Sequence, residues 1–180
     1  MITAPDQVST LLDFTTEVAR RLGLWLRASG AHGLILGEAT CSPNFISPSL
    51  YRTLVHPHHR RLVTRLREAG WTVLGLHVCG DITAIFEDLV TTGVDLLDVD
   101  YQVDAERAIE LAEGRVALRG NLDPSSVLRF GTPEQIRRAT GALMAQVSDA
   151  PRWILGSGCD IPPGTPERNL RAFFGTATSP

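Results

Sequence analysis

The amino-acid sequence predicts an α/β fold in which about five parallel strands alternate with surrounding helices. Three observations lead to this fold class. Five short apolar runs alternate with amphipathic segments, which is the order that gives a parallel sheet covered by helices. Polar side chains collect where those runs end. The 180 residues are 43% hydrophobic, a length and content that suit one domain with a substantial core.

The predicted helices follow from apolar spacing, proline and capping residues. Pro5 suits the first turn of the first helix, and Pro57 is expected to divide the second helical segment into two helices. Thr132 is the expected cap of the helix that begins at Pro133. The helical pattern covers six segments, residues 5–30, 50–70, 82–92, 105–113, 133–147 and 166–174.

The predicted strands are short apolar runs bounded by glycine or other turn-forming residues. The first run ends at Glu38, the second leads to His77 and the third ends at Asp100. The five runs are residues 32–37, 71–77, 94–100, 116–119 and 153–155.

The number of strands indicates only part of a barrel. A closed barrel of alternating strands and helices needs eight strands, in typically about 250 residues. An incomplete parallel barrel leaves unpaired edges and an exposed apolar interior, and both features invite association. We therefore expect a homo-oligomer or a partner chain that completes the barrel.

Candidate site residues lie at the C-terminal ends of the strands, where side chains from several strands of such a barrel converge on the active site. They are Glu38, His77, Cys79, Asp100, Asn121 and Cys159. The third strand carries two acidic residues, Asp98 and Asp100, and position at the strand end favours Asp100 as the functional one.

Three of these residues predict a metal site. His77 and Cys79 are two residues apart and would project to one face of a continuing strand, while Cys159 would arrive from another strand. One imidazole and two thiolates, with a fourth position open, are typical of a catalytic zinc ion. The alternative is a buried histidine with inert thiols, and the separate motif around Cys159 favours the metal.

Composition narrows the function classes. A net charge of −3 and a pI near 5.9 give no reason to expect nucleic acid or an anionic membrane as partner. All 17 basic residues are arginine, which excludes a lysine base or Schiff base from this chain. Without a signal-peptide pattern or a long apolar run, and with three widely spaced cysteines, we expect reduced thiols and a cytoplasmic location.

Other polar residues receive structural interpretations. Cys41 lies in a loop without a partner motif and is predicted to be an inert thiol. Asn121 and Asp123 are expected to hold a turn before Pro124. Glu38 either contacts substrate or caps a loop, and the sequence leaves both open. The cluster of basic residues between positions 56 and 61 is interpreted as a solvated helix start, and its members are His56, His58, His59, Arg60 and Arg61.

Five short motifs carry a family resemblance that runs from about residue 33 to the C-terminus. They are ISPSLY (46–51), HVCG (77–80), GNLDP (120–124), GCDIPP (158–163) and TPERNL (165–170). With them the chain resembles the C-terminal half of the uroporphyrinogen decarboxylase superfamily, and within it the cobamide-dependent methyltransferases, including methylcobamide:coenzyme M enzymes. The resemblance implies part of a TIM barrel over residues 1–180, with zinc held by His77, Cys79 and Cys159.

The resemblance also implies roles and partners. Asp100 matches an acidic zinc ligand of the related cobalamin-independent methionine synthases, so it is expected to be a fourth ligand or a substrate contact. Glu38 joins Asp100 as a catalytic candidate, and Asn121 is the candidate for a cofactor contact. The expected reaction passes a methyl group between a corrinoid, carried by a corrinoid protein, and a small thiol.

Two other functions stay open. A decarboxylase-like carboxy-lyase would act without zinc and would need cationic groups to bind carboxylates, for which Arg119 is the only strand-borne candidate. A non-catalytic accessory half-barrel would explain the small number of strands.

Overall fold

A computed structural model describes residues 3–177, and its five strands form one parallel sheet. The strands lie in the order in which they occur along the chain, from β1 to β5. Their bounds are β1 Gly33–Glu38, β2 Val73–Val78, β3 Leu96–Asp98, β4 Ala117–Leu122 and β5 Trp153–Ser157. The predicted α/β class and the number of strands are confirmed.

Seven α-helices accompany the sheet, and Thr132 caps the sixth through a reciprocal pair of hydrogen bonds with Gln135. Within residues 3–177, no helix combines the length and the apolar character needed to cross a bilayer. The helices are α1 Pro5–Ala28, α2 Pro48–Leu50, α3 His56–Glu68, α4 Phe86–Val90, α5 Ala105–Ala112, α6 Pro133–Gln146 and α7 Glu167–Ala177.

Two helical segments differ from expectation. Pro57 does not break the second segment, because a π turn, Tyr51–Val55, leads directly into α3 and proline then occupies the first turn of that helix. The segment expected to be one helix over residues 82–92 is a 3-10 turn, Thr83–Ile85, followed by the short α4.

Strand ends also differ from expectation. β4 continues past Arg119 to Leu122, because Asn121 and Leu122 pair with Gly156 and Ser157 of β5. β3 ends at Asp98, so Asp100 lies in the loop that follows it.

The two faces of the sheet differ in burial. The face covered by helices carries the main core, with Leu74, Leu76, Leu97 and Leu118 buried. The opposite face, called here the concave face, exposes Ile35, Val73 and Ile154, each 41–50% accessible to solvent. In a closed barrel such side chains fill the interior. The sheet is therefore a barrel segment whose interior side is open in the part of the chain that is described.

Candidate metal centre

His77, Cys79 and Cys159 come together at the C-terminal end of the sheet. The Cys79 Sγ lies 3.3 Å from the His77 Nε2 and 3.8 Å from the Cys159 Sγ. All three ligand atoms lie within 4.8 Å of one another. The neighbouring His77 and Cys79 thus form one cluster with the distant Cys159, at the place predicted for them.

The local fold explains how Cys159 reaches this place. β5 ends at Ser157, and the Gly158 backbone N–H then donates to the carbonyl of Leu122 over 2.8 Å. A side chain at Gly158 would overlap the backbone of Tyr101 in the loop after β3. The chain therefore needs glycine here to pass close enough for the next residue, Cys159, to face Cys79.

The spacing of the three donor atoms fits a zinc ion. Thiolates about 2.3 Å from a tetrahedral zinc ion lie about 3.8 Å from each other, and an imidazole nitrogen lies about 3.5 Å from each thiolate. The distances around Cys79 agree with both values. All three residues are half-buried.

Asp98 holds the histidine ring in place. The His77 Nδ1 lies 3.0 Å from the backbone carbonyl of Asp98 and 3.3 Å from its Oδ2. This leaves Nε2 directed at the thiols, an arrangement common for metal-binding histidines. The hydrogen bond with the Asp98 carboxylate raises the pKa of His77 to about 9, despite the opposing effect of burial.

Arg119 completes this support. Its guanidinium donates two hydrogen bonds, of 2.8 and 2.6 Å, to the two carboxylate oxygens of Asp98. Burial raises the pKa of Asp98, but hydrogen bonds from His77 and Arg119 outweigh it and lower the pKa overall. The sequence favours Asp100 over Asp98, yet it is Asp98 that contacts His77. The contact follows from the strand register, in which His77, Asp98 and Arg119 are neighbours across three paired strands.

The Cys79 thiol needs a cation to ionise near neutral pH. Burial, followed by the neighbouring Cys159, raises the pKa of Cys79 to about 11. At neutral pH, Cys79 and His77 therefore both carry protons that a metal ion must displace. Metal binding at this centre is consequently coupled to proton release.

Asp100 lies next to the cluster but its carboxylate is engaged elsewhere. It is buried and accepts hydrogen bonds of 2.9 Å from the backbone N–H groups of Gly80 and Gln102. These bonds tie the residue after Cys79 to the loop after β3. The role of Asp100 as a fourth ligand or catalytic group stays a prediction.

Asn121 and Asp123 are both used by the backbone nearby. The Asn121 Nδ2 donates to the carbonyls of Asp100 and Val103, over 3.2 and 2.7 Å. Asp123 caps the helical turn that begins at Pro124, whereas the prediction that Asn121 also holds a turn there is wrong, because Asn121 lies in β4. The contact of Asn121 with a cofactor stays a prediction.

The backbone carbonyl of Glu38 accepts a hydrogen bond of 3.4 Å from the Cys79 N–H, but the Glu38 carboxylate does not belong to the cluster of His77, Cys79 and Cys159. Its Oε1 accepts hydrogen bonds from the backbone and the hydroxyl of Thr40, and its Oε2 is 4.0 Å from the His59 Nε2. The side chain of His59 is only 11% exposed and bonds the buried Tyr51, so the interpretation of a solvated helix start is wrong for this histidine. The catalytic role of Glu38 stays a prediction.

Replacing Asp98 by asparagine should weaken zinc binding through His77. Loss of a carboxylate that orients a ligand histidine typically lowers metal affinity about 10–100-fold. The variant should also lower the pKa of His77, so that zinc binding near neutral pH releases about one proton fewer than in the native protein. Calorimetry in buffers of different ionisation enthalpy measures both quantities.

Glu87→Gln is the matched control, because Glu87 makes a similar two-bond pair with Arg115 at an exposed position. This control should leave affinity and proton release unchanged. An unchanged proton count in Asp98→Asn would show that Asp98 does not act through His77.

Comparison with known proteins places this geometry in context. The family model described as uroporphyrinogen decarboxylase (URO-D) matches residues 1–179. A methylated-thiol–coenzyme M methyltransferase of Methanosarcina mazei is 31% identical over 171 residues, 95% of this chain and 44% of the relative. A methylcobamide:CoM methyltransferase of the same organism is 32% identical over 95% of this chain and 49% of the relative.

Relatives with a different activity match equally long segments. A uroporphyrinogen decarboxylase of Prochlorococcus marinus is 29% identical over 174 residues, 94% of this chain and 48% of the relative. The chain thus spans about half the length of the curated relatives it matches.

A solved structure supports the fold. A methyltransferase from Methanosarcina mazei superposes with a TM-score of 0.81 and 24% identity, over 91% of this chain and 47% of the other. Because the family model covers nearly the whole sequence, the chain belongs to the uroporphyrinogen decarboxylase family.

Proposed function

We propose that this chain carries a zinc-dependent methyl-transfer centre that passes a methyl group between a corrinoid and a small thiol. The main support for this proposal is that one imidazole and two thiols converge within 4.8 Å at the end of the sheet. Two relatives named as coenzyme M methyltransferases, one of them as a methylcobamide:CoM methyltransferase, support this choice within the family.

The residues divide the work as follows. His77, Cys79 and Cys159 would hold the zinc ion, and Asp98 with Arg119 would fix the ring of His77. When bound, zinc would supply the Lewis acidity that keeps a substrate thiol in its nucleophilic thiolate form. Because the three ligands are half-buried, the thiol has access to them from the open end of the sheet.

The carboxy-lyase alternative has less support from the site. It needs a cation to bind substrate carboxylates, and the strand-borne candidate is Arg119. The two hydrogen bonds that this guanidinium donates already go to Asp98. Because uroporphyrinogen decarboxylases are among the relatives, the assay described below also tests for decarboxylation.

Completion of the barrel belongs to the proposal. The concave face exposes apolar side chains beside the ligand cluster, and the chain spans about half of its relatives. We therefore expect a second copy or another chain to cover this face and to shield the centre from water.

The test is an anaerobic assay of the purified, reduced protein, whose oligomeric state is measured by light scattering. We expect zinc-dependent loss of the methyl group from methylcobalamin in the presence of coenzyme M, abolished by a chelator and restored by zinc. Conversion of uroporphyrinogen without zinc would instead establish the carboxy-lyase. Zinc binding without either reaction, in every oligomeric fraction, would establish the accessory half-barrel.

A further inference from the structure

We propose a second zinc site, formed by Glu38, Cys41 and His59 at the end of β1. The three residues offer a carboxylate oxygen, a thiol sulfur and an imidazole nitrogen, and all these atoms lie within 4.8 Å of one another. They share no ligand with the centre at His77. The inference is therefore independent of the methyl-transfer proposal.

The cysteine is placed as a ligand would be. Cys41 is only 3% exposed, although it lies in a loop rather than in a strand or helix. Burial, with a smaller contribution from the charge of Glu38, raises the pKa of its thiol far above the usual range. A divalent cation between Cys41 and Glu38 would lower the pKa of the thiol again, because the cation stabilises a thiolate and neutralises the carboxylate.

The histidine is held by a buried hydroxyl. The His59 Nδ1 lies 3.1 Å from the Tyr51 hydroxyl, and Tyr51 is completely buried. When Nδ1 donates to that oxygen, Nε2 keeps a free lone pair on the side of Glu38. Burial lowers the pKa of His59 to about 4, so the ring is neutral at physiological pH, as a metal ligand must be.

The Oε2 of the Glu38 carboxylate is available to bind an ion. Glu38 accepts hydrogen bonds from the backbone N–H and the hydroxyl of Thr40, and both reach Oε1. Its Oε2 lies 4.0 Å from the His59 Nε2, too far for a direct hydrogen bond. Two such ligands of a tetrahedral zinc ion lie about 3.3 Å apart, so the two side chains would move closer by about 0.7 Å when the ion binds.

An open path leads to this cluster. A cavity of about 390 Å³ lies between α1, β1 and α3, and Glu38 and His59 line part of its wall. The rest of the lining is mostly apolar and includes Leu34, Leu36 and Leu62. The cavity gives an ion and its remaining water ligand a way in, as a zinc site with three protein ligands requires.

The donor set selects the metal. One thiolate, one imidazole and one carboxylate suit zinc, whereas magnesium and calcium prefer oxygen ligands alone. Cobalt(II) takes similar ligands and reports a bound thiolate by its absorption, so it serves as the spectroscopic probe.

The decisive experiment uses a variant in which His77, Cys79 and Cys159 are all alanine. The chain has three cysteines, so Cys41 is then the sole thiol and any cobalt–thiolate absorption must come from it. We expect about one zinc per chain in equilibrium dialysis and a cobalt–thiolate band.

Further substitutions in this background separate the site from the surface around it. Adding Cys41→Ala or His59→Gln should remove the zinc and the cobalt band. Adding His58→Gln should keep both, because His58 lines the same cavity but belongs to neither ligand cluster.

A folded triple variant without zinc and without the cobalt band would overturn the proposal. If the triple variant does not fold, zinc content is compared between the native protein and Cys41→Ala. The native protein should then hold about one zinc more per chain, and equal contents would contradict the second site.

Discussion

Replacing Cys79 by alanine is expected to remove zinc from the His77 centre and methyl transfer with it. Zinc held by four ligands is worth about 10–16 kcal/mol in small protein sites, so one lost ligand costs about 3 kcal/mol, or roughly 100-fold in Kd. Cys79 contacts both His77 and Cys159, and its loss leaves only one imidazole and one thiolate in the cluster.

This experiment is best performed in a Cys41→Ala parent, so that the second site contributes no zinc. Competition with a chromophoric chelator measures affinity, and transfer from methylcobalamin to coenzyme M measures activity. The parent itself is the control and should keep its zinc at the His77 centre. Native affinity in the Cys79→Ala protein would contradict the assignment of this residue as a ligand.

Replacing Gly158 by alanine should both destabilise the protein and displace Cys159. The added Cβ would lie 2.7 Å from the Tyr101 Cα, closer than such atoms approach in proteins, and the obstruction is backbone that cannot rotate away. Overpacking typically costs about 1–3 kcal/mol, and we expect the upper end, about 3 kcal/mol, because the hydrogen bond from Gly158 to Leu122 is also strained. Denaturation with urea and zinc affinity are the two measurements.

Gly141→Ala is the control, because the same change from glycine to alanine should stabilise the protein at this position. Gly141 lies inside α6, and a Cβ built there meets nothing within 4 Å. Alanine should stabilise the helix by about 0.5–1 kcal/mol and leave zinc binding unchanged. If Gly158→Ala unfolds at the native midpoint with native zinc affinity, the close approach to Tyr101 does not position the site.

Features of the fold that depend on short stretches of sequence were predicted correctly, and features that depend on tertiary contacts were not. The strands were visible as glycine-bounded apolar runs, and the grouping of His77, Cys79 and Cys159 followed from motifs at strand ends. The extent of β4 was wrong because the turn-like residues from Gly120 onward pair with β5, and such pairing is decided by tertiary contacts.

Two functional contacts were missed for a related reason. Asp98 meets His77 through the register between β2 and β3, which a single sequence does not specify. Cys41 and His59 are 18 positions apart and meet only because a loop and the start of α3 pack together above β1. Neither residue has a partner at motif spacing, so each looked isolated when considered alone.

The order of the strands has a consequence for how the chain acquires its structure. Each strand pairs with the strand that comes next in the sequence, so no pairing in the described sheet requires distant segments to meet first. The entropy lost in closing each connection is therefore modest and similar from one step to the next. The sheet can grow by one strand at a time, from β1 towards β5, in the same direction in which the ribosome releases the chain.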